Sequence, residues 1–477
     1  MKHTRGVILK SFLMVVAAAI LVLCLDARLN LPACQDTSGP QGWDDLPALL
    51  KRISPPTFPD KDFLVTTFGA LGDGKRDCSG AFRKAIEKCN AEGGGRVVVP
   101  RGVYLTGPIH LKSNVNLYVS KGATIRFSTD PKKYLPVVYT RWEGVECMNY
   151  SPLIYAFEQE NIAVTGEGVL DGQGSSKGWW SWKGSKEYGW VEGKPDQKEG
   201  RKKLFDAGEK NIPVHQRVFG EGYYLRPNFV QPYRCKNVLI QGVTFKNSPM
   251  WFLHPVLCEN VSILGVTTEG LGPNNDGCDP ESSRDVLIKN CYFNNGDDCI
   301  AIKSGRNGDG RRVNVPSENI IVQGCRMKDG HGGVVIGSEI SGSVRSVYAE
   351  DCTMDSPNLD RALRIKTNSM RGGVVENVFM RNVRVGQVAE AAVKINYYYE
   401  EGDGGPFTPV VRNIEVLRLE CNKSRFAIWI RAYDRSPATD ISIKDCTFNN
   451  VAEPDVIENV KNLSLVNVKV NGKLVSR

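Results

Sequence analysis

A short unit recurs along most of this chain. It has a polar residue, then an apolar/any/apolar alternation, then a small or apolar residue six places after the first. It reads Asn237-Val-Leu-Ile-Gln-Gly-Val243, Asn260-Val-Ser-Ile-Leu-Gly-Val266, Asp285-Val-Leu-Ile-Lys-Asn-Cys291 and Asn319-Ile-Ile-Val-Gln-Gly-Cys325. Looser copies start at Ser346, Asn377 and Asn413, clear ones return at Asp440 and Asn462, and an early copy starts at Asn161. From Asn237 onward the copies are 23, 25, 34, 27, 31, 36, 27 and 22 residues apart. Alternation rich in Val and Ile predicts strands. Each copy is too short to bury its own apolar face, so the copies must stack and share one interior. The expected fold is therefore all-β, a single-stranded right-handed parallel β-helix. Helical solenoids need longer 3.6-periodic segments and leucine-rich repeats need their leucine signature; both are missing. A β-sandwich with regular turns remains the alternative.

One helix is expected ahead of the repeats. Ala81, Phe82, Ala85, Ile86 and Cys89 form an apolar stripe, Asp77 or Ser79 can cap its start, and Gly93-Gly94-Gly95 ends it. Repeat arrays need a lid over the first coil, and this helix suits that role. Early strands are expected at about Arg96–Val99 and Asn114–Ser120. The β-helix domain is expected over residues 60–475. Between 172 and 233 the alternation lapses, and Trp179, Trp180, Trp182 and Trp190 cluster among Lys and Gly. That segment reads as a long loop insertion, its Trp residues either packing it onto the barrel or stacking on sugar faces.

With 477 residues the chain can bury a large core, and the repeat argues for one elongated domain. The net charge of +8 is a mild excess, compatible with a polyanionic partner but equally with a solvated surface. No nucleic-acid signature accompanies it. Lys2, Arg5 and Lys10 precede an apolar run from Phe12 to Leu25, which makes residues 1–27 a signal peptide or an uncleaved signal anchor. Secretion to the extracellular cell wall is the first expectation, with type II anchoring in the secretory pathway as the alternative. Sequons begin at Asn149, Asn260, Asn422 and Asn462. The 14 cysteines show no zinc spacing, and Cys24 lies in the leader. Cys421 and Cys446 occupy neighbouring repeats, and Cys325 and Cys352 hold the same repeat offset, each pair as a disulfide or as stacked buried thiols.

Candidate chemistry lies inside the repeats: Asp276 in Pro273-Asn274-Asn275-Asp276-Gly277, the pair Asp297-Asp298, His331 between two glycines, and Arg364-Ile365-Lys366. Asp297 and His331 both stand 12 residues after their repeat starts, which predicts equivalent places on adjacent coils. Arg364 and Lys366, two apart on a strand, should share a face. Crowded carboxylates repel, so at least one should hold its proton near neutrality, as a general acid must, while the others hold a water. That is the division of labour in inverting glycoside hydrolysis. Each piece has a bland counterpart in a turn, a cap or a solvated face, and three aspartates also suit calcium. The neighbouring cations argue against a bare calcium site, and no metal is expected.

These motifs, Asn274-Asn275-Asp276-Gly277, Gly296-Asp297-Asp298-Cys299, Gly330-His331-Gly332 and Arg364-Ile365-Lys366, resemble those of plant polygalacturonases of glycoside hydrolase family 28. Phe68-Gly69-Ala70-Leu71-Gly72-Asp73-Gly74 resembles the start of pectin-degrading β-helix enzymes. The resemblance implies cofactor-free hydrolysis of α-1,4-galacturonan with inversion. It implies Asp297 as general acid, Asp276 and Asp298 as activators of water, and His331 as support for the acid. Arg364 and Lys366 would bind the substrate carboxylate, with Asn274 as a further substrate-binding residue. Two departures stand out. Asn275 replaces the usual Thr, and Tyr397, Tyr398 and Tyr399 do not align cleanly with the Tyr that commonly follows the Arg-x-Lys motif.

The expected partner is a pectin polysaccharide, bound by a monomer, with a membrane involved only if the leader stays uncleaved. The alternatives are a hydrolase of rhamnogalacturonan or xylogalacturonan, a calcium-dependent lyase, and a non-catalytic wall-binding protein. Exo action is expected if the 172–233 segment closes one end of the cleft.

Overall fold

A computed structural model describes residues 42–476; the leader and Cys24 lie outside the described residues. The chain winds into the expected parallel coil. One long sheet stacks strands of successive turns, pairing Val238 with Val261, Val261 with Val286, Val286 with Ile320 and Ile320 with Val347. A second sheet stacks Ile300–Ile302, Val334–Ile336, Arg361–Lys366, Ala391–Asn396, Phe426–Arg431 and Val456–Glu458. It is extended toward the N-terminus by bridges from Ile300 to Cys278, Cys278 to Leu253 and Leu253 to Val230. The interior is a continuous apolar column running from Phe63 to Val468.

The polar residue that opens each repeat has a specific job. Asn161, Asn237, Asn260, Asp285, Asn319, Asn377, Asn413, Asp440 and Asn462 all adopt left-handed backbone, with φ between 53° and 58°. Asn and Asp tolerate that conformation better than other side chains. Their side chains also bond from coil to coil: Asn237 Nδ2 donates to Asn161 Oδ1 at 2.9 Å and Asn260 Nδ2 to Asn237 Oδ1 at 2.7 Å. Each therefore makes the corner between sheets and ties it to the neighbouring rung.

Helix α2 (Ser79–Ala91) buries Ala81, Phe82, Ala85, Ile86 and Cys89 over the first coil, as its stripe predicts. Asp77 accepts from the Ser79 amide at 2.8 Å. Gly94 ends it with φ +107°, where a Cβ would lie 2.4 Å from the Asn114 carbonyl. The folded structure begins ahead of the expected boundary at 60. Helix α1 (Leu46–Arg52) lies on the outer face of the long sheet and packs Leu46, Leu49 and Ile53 against Ile321, Tyr348 and Phe379. Its three-residue apolar stripe is too short to be picked out from the sequence.

The 172–233 segment is not only loop. It contains helix α3 (Lys198–Glu209), which buries Leu204 with Trp142, Val145, Phe219 and Trp251. Its apolar face is narrow among many Lys, Glu and Gly, which hides the helical period. The packing reading of the Trp cluster holds for Trp179, Trp180 and Trp182. Trp179 is buried, with its ring centroid 5.5 Å from Tyr134 and 4.8 Å from Trp182.

The 12 described cysteines are free and buried, so free thiols replace the considered disulfides at Cys421/Cys446 and Cys325/Cys352, and Cys421 pairs in register with Phe448, not with Cys446. Three sequon amides are taken up in hydrogen bonds, that of Asn462 on the exposed surface. Asn149 is buried with its Nδ2 donating to the Leu225 carbonyl, Asn260 Nδ2 serves the corner ladder, and Asn462 Nδ2 donates to Asp440. Asn422 is exposed.

Candidate active site

The second sheet carries the site on its outer face. Ile300, Ile302, Val334, Ile336, Leu363 and Ile365 point into the core, so the residues between them point out. Ala301, Val335 and Arg364 share one register column, continued by the Cys278–Ile300 bridge toward Asp279. Lys303 and Lys366 occupy the next outward column, with Gly337 between them. The bare Gly337 lets the next rung's backbone come close. A Cβ there would meet the Lys366 carbonyl at 2.1 Å.

The three aspartates converge just before these strands. One carboxylate oxygen from each of Asp276, Asp297 and Asp298 lies within 4.8 Å of the others. Asp297 and His331 are register equivalents, as their equal offsets predict. The His331 amide donates to the Asp297 carbonyl at 3.1 Å, and His331 Nδ1 meets Asp297 Oδ1 at 2.9 Å. Asp298 lies beneath them, buried, with Lys366 Nζ donating to Oδ2 at 2.6 Å and an Arg364 guanidinium N–H donating to Oδ1 at 3.3 Å. The six residues Asp276, Asp297, Asp298, His331, Arg364 and Lys366 thus form one cluster.

Asn274 is engaged differently. Its Oδ1 accepts from Lys183 Nζ at 2.9 Å and from Arg226 at 2.8 Å, so it joins the 172–233 segment to the aspartate turn. Arg226 is fully buried and also donates to the Pro249 and Pro273 carbonyls. Trp180 Nε1 donates to the Ser248 carbonyl at 2.8 Å, and its ring lies against Gly272, where a Cβ would come within 2.2 Å. The segment is therefore a fixed wall on the N-terminal side of the cluster.

Asn275, in the place of the usual Thr, is fully buried. Its Nδ2 donates to the Ser248 and Met250 carbonyls at 3.0 and 2.9 Å, and its Oδ1 accepts from the Gly272 amide at 3.1 Å. A Thr hydroxyl has one proton and cannot make both donations. The substitution is structural and leaves the carboxylates in place. The tyrosine ambiguity also resolves. Tyr397 is buried in the core, whereas the Tyr399 ring centroid lies 5.3 Å from the Arg364 guanidinium and 5.1 Å from Lys366 Nζ.

Sequence reasoning missed a buried layer behind the cluster. Lys303 Nζ stands 3.8 Å from Asp276, 3.5 Å from Asp279 and 3.3 Å from Glu339. Glu339 in turn meets Arg306 at 3.3 Å. His254 Nε2 meets Glu281 at 2.7 Å, and Arg141 meets the other Glu281 oxygen at 3.4 Å. Asp279 and Lys303 carried a usable signal, since each stands one residue past an apolar strand position. Nothing in the sequence pairs them.

The electrostatics divide the carboxylates. Burial and the charges of Asp297 and Asp279 push Asp276 well above the ordinary carboxylate range. Burial pushes Asp279 up as well, despite Lys303. Burial also acts to raise Asp298, but Lys366 and Arg364 outweigh it and hold that group low. At Asp297 burial is outweighed by the hydrogen bond and charge of His331, aided by Lys366 and Lys303. The Asp297 contact in return pushes His331 up to about 9. Asp276 and Asp279 are therefore biased toward the protonated form, and Asp297 and Asp298 toward the anion. With Lys366 and Arg364 on Asp298 and Lys303 facing Asp276, cations already oppose the oxygens that a divalent ion would need.

The family model described as glycosyl hydrolases family 28 matches residues 220–464, and a rhamnogalacturonase A/epimerase, pectate lyase-like model matches residues 63–126. A solved hyperthermoactive exopolygalacturonase from Thermotoga maritima is 48% identical, with 90% of this chain and 96% of that one covered and a TM-score of 0.88. A probable polygalacturonase of Vitis vinifera is 27% identical over 82% of this chain and 74% of its own. An exo-poly-alpha-D-galacturonosidase of Dickeya chrysanthemi is 27% identical over 71% of this chain and 58% of its own. The matched span holds every residue of the aspartate cluster and more than half of the sequence, and the chain belongs to glycosyl hydrolase family 28.

Proposed function

We propose that this protein hydrolyses α-1,4-galacturonosyl linkages of de-esterified homogalacturonan with inversion, removing sugars from a chain end. The observation that supports this most directly is one proton unit and one anion clamp on the same face. Asp297 with His331 faces Asp276 and Asp298, while Arg364, Lys366 and Tyr399 stand beside them. Two cations under an aromatic ring suit a uronate, which has a carboxylate to pair and a pyranose face to cover.

In this reading Asp297 donates its proton to the glycosidic oxygen. His331, cationic below about 9, returns a proton along their hydrogen bond. A substrate carboxylate at Lys366 cancels part of the positive field that holds Asp297 low, so binding itself raises the proton affinity of the acid. Asp276 and Asp298 hold the water. Asp298, kept anionic by Lys366 and Arg364, takes the proton as the water attacks the anomeric carbon.

The nearest oxygens of the three aspartates lie within 4.8 Å, tighter than the roughly 6.5–9.5 Å between carboxyl groups in ordinary inverting enzymes. Inversion is supported instead by Asp276 and Asp298 standing together beside the Asp297–His331 unit, where they can hold a water. Exo action is supported by the Lys183–Asn274–Arg226 wall and by the exopolygalacturonase named above.

In this reading a monomer acts on wall pectin outside the cell. No helix among the described residues is long and apolar enough to cross a membrane. The test is a time course on polygalacturonate with product chromatography and proton NMR. Monomer from the first minutes and the inverted β-anomer are expected. An oligomer ladder would refute exo action, a first-formed α-anomer would refute inversion, and no reducing ends from any galacturonan would refute the hydrolase reading.

A further inference from the structure

The outer face of the second sheet does not stop at Arg364. Arg364 pairs in register with Lys394, and Lys394 with Trp429. Beside them Lys366 pairs with Asn396, and Asn396 with Arg431. Rungs are about 4.8 Å apart, so Trp429 lies roughly 10 Å beyond Arg364 along the coil axis. Trp429 takes no part in the apolar core; its ring is half-buried on the outer face. Lys394 Nζ stands 4.3 Å from its centroid. On the adjoining loop Tyr398 is 40% exposed, with Arg431 5.0 Å from its ring. The wall of residues 172–233 stands at the opposite, N-terminal end of the cluster. A polymer whose end rests on that wall extends toward Trp429.

We propose that Trp429, with Lys394 and Tyr398, forms a distal subsite for a galacturonate unit beyond the one held by Arg364 and Lys366. This rests on the galacturonan reading above. The cations here have carboxylate partners of their own. Lys394 and Arg361 meet Glu390, Arg361 also meets Asp360 at 2.9 Å, and Arg431 meets Glu458 at 2.7 Å. The subsite therefore works mainly by covering a sugar face with the indole, and its contribution should change little with salt.

The test compares kcat/KM for di- and tetragalacturonate. In wild type the longer substrate should be favoured. In Trp429→Ala that preference should fall about tenfold, close to 1.4 kcal/mol. Trp429→Phe should recover part of it, and Trp429→Leu gives the same comparison should the Ala variant fold poorly. A length preference unmoved in every variant would overturn the subsite while leaving galacturonan hydrolysis intact. A wild-type protein inert on both substrates would instead sink the function on which the subsite rests.

Discussion

Lys366 Nζ donates to Asp298 Oδ2 at 2.6 Å, with both groups buried. A residue expected to bind substrate is thus also the partner that holds the proposed base low. The two roles are physically linked, since a uronate arriving at Lys366 competes with Asp298 for the same ammonium.

Lys366→Met removes that link. Arg364 still reaches Asp298, so the expected stability loss is about 1.5–3 kcal/mol, the worth of one hydrogen bond to a charged group. Turnover of polygalacturonate should fall by about 100-fold or more, through both KM and kcat. Thermal denaturation together with initial rates checks this, and an unchanged KM would remove Lys366 from the binding role.

Asp297→Asn keeps the shape of the acid but not its proton. General acid catalysis contributes about 10²–10⁴-fold, and a loss in that range is expected. The circular dichroism spectrum should be retained, because the Asp297 carboxylate lies at the rim and not in the barrel core.

The Asp297–His331 contact gives a pH signature. The pKa of His331 is raised to about 9, so its stabilising contribution is complete below the unfolded value of about 6.5 and disappears as pH rises through 9. That of Asp297 is lowered, so its contribution is complete above about 3.9 and is lost in strong acid. The Tm difference between wild type and His331→Gln should be widest between about pH 4 and 6.5 and close by pH 10. A difference that stays constant with pH would mean that the pair is not ionic.

Asn275→Thr restores the residue usual in this family and should still destabilise this protein. It leaves a buried carbonyl of Ser248 or Met250 without its donor, at a cost of about 1–3 kcal/mol. Urea denaturation reads the change, and a neutral result would show that the turn can repack.

Passage through a glycosylating secretory pathway should add one glycan, at Asn422. The amides of Asn149, Asn260 and Asn462 are held in hydrogen bonds within the fold. Mass spectrometry of wild type and Asn422→Gln decides it, and glycan found at Asn149 would contradict the buried position of that side chain.

Much of this molecule can be read in its one-dimensional pattern, because a coil repeats the same local problem. Alternation fixes which face of each strand is buried. The Asn or Asp at each repeat start marks a corner that needs left-handed backbone, and equal offsets place Asp297 opposite His331. These are short-range consequences of steric and hydrophobic constraints, so they survive without knowledge of the whole. That Arg364 and Lys366 share a face was legible for the same reason. What lies between coils was not. That Lys303 faces Asp276, Asp279 and Glu339, that Arg226 and Lys183 hold Asn274, and that Tyr399 and not Tyr397 covers the cations depends on turns of unequal length. Those lengths set how far each loop reaches before the next strand begins. Where the protons rest depends on the same arrangement, because burial and neighbouring charge act across space and leave no period in the chain. The sequence by itself determined the scaffold and the cast of charged groups. Tertiary structure decided which of them touch, and through those contacts which carboxylate is biased toward the anion and which toward the acid.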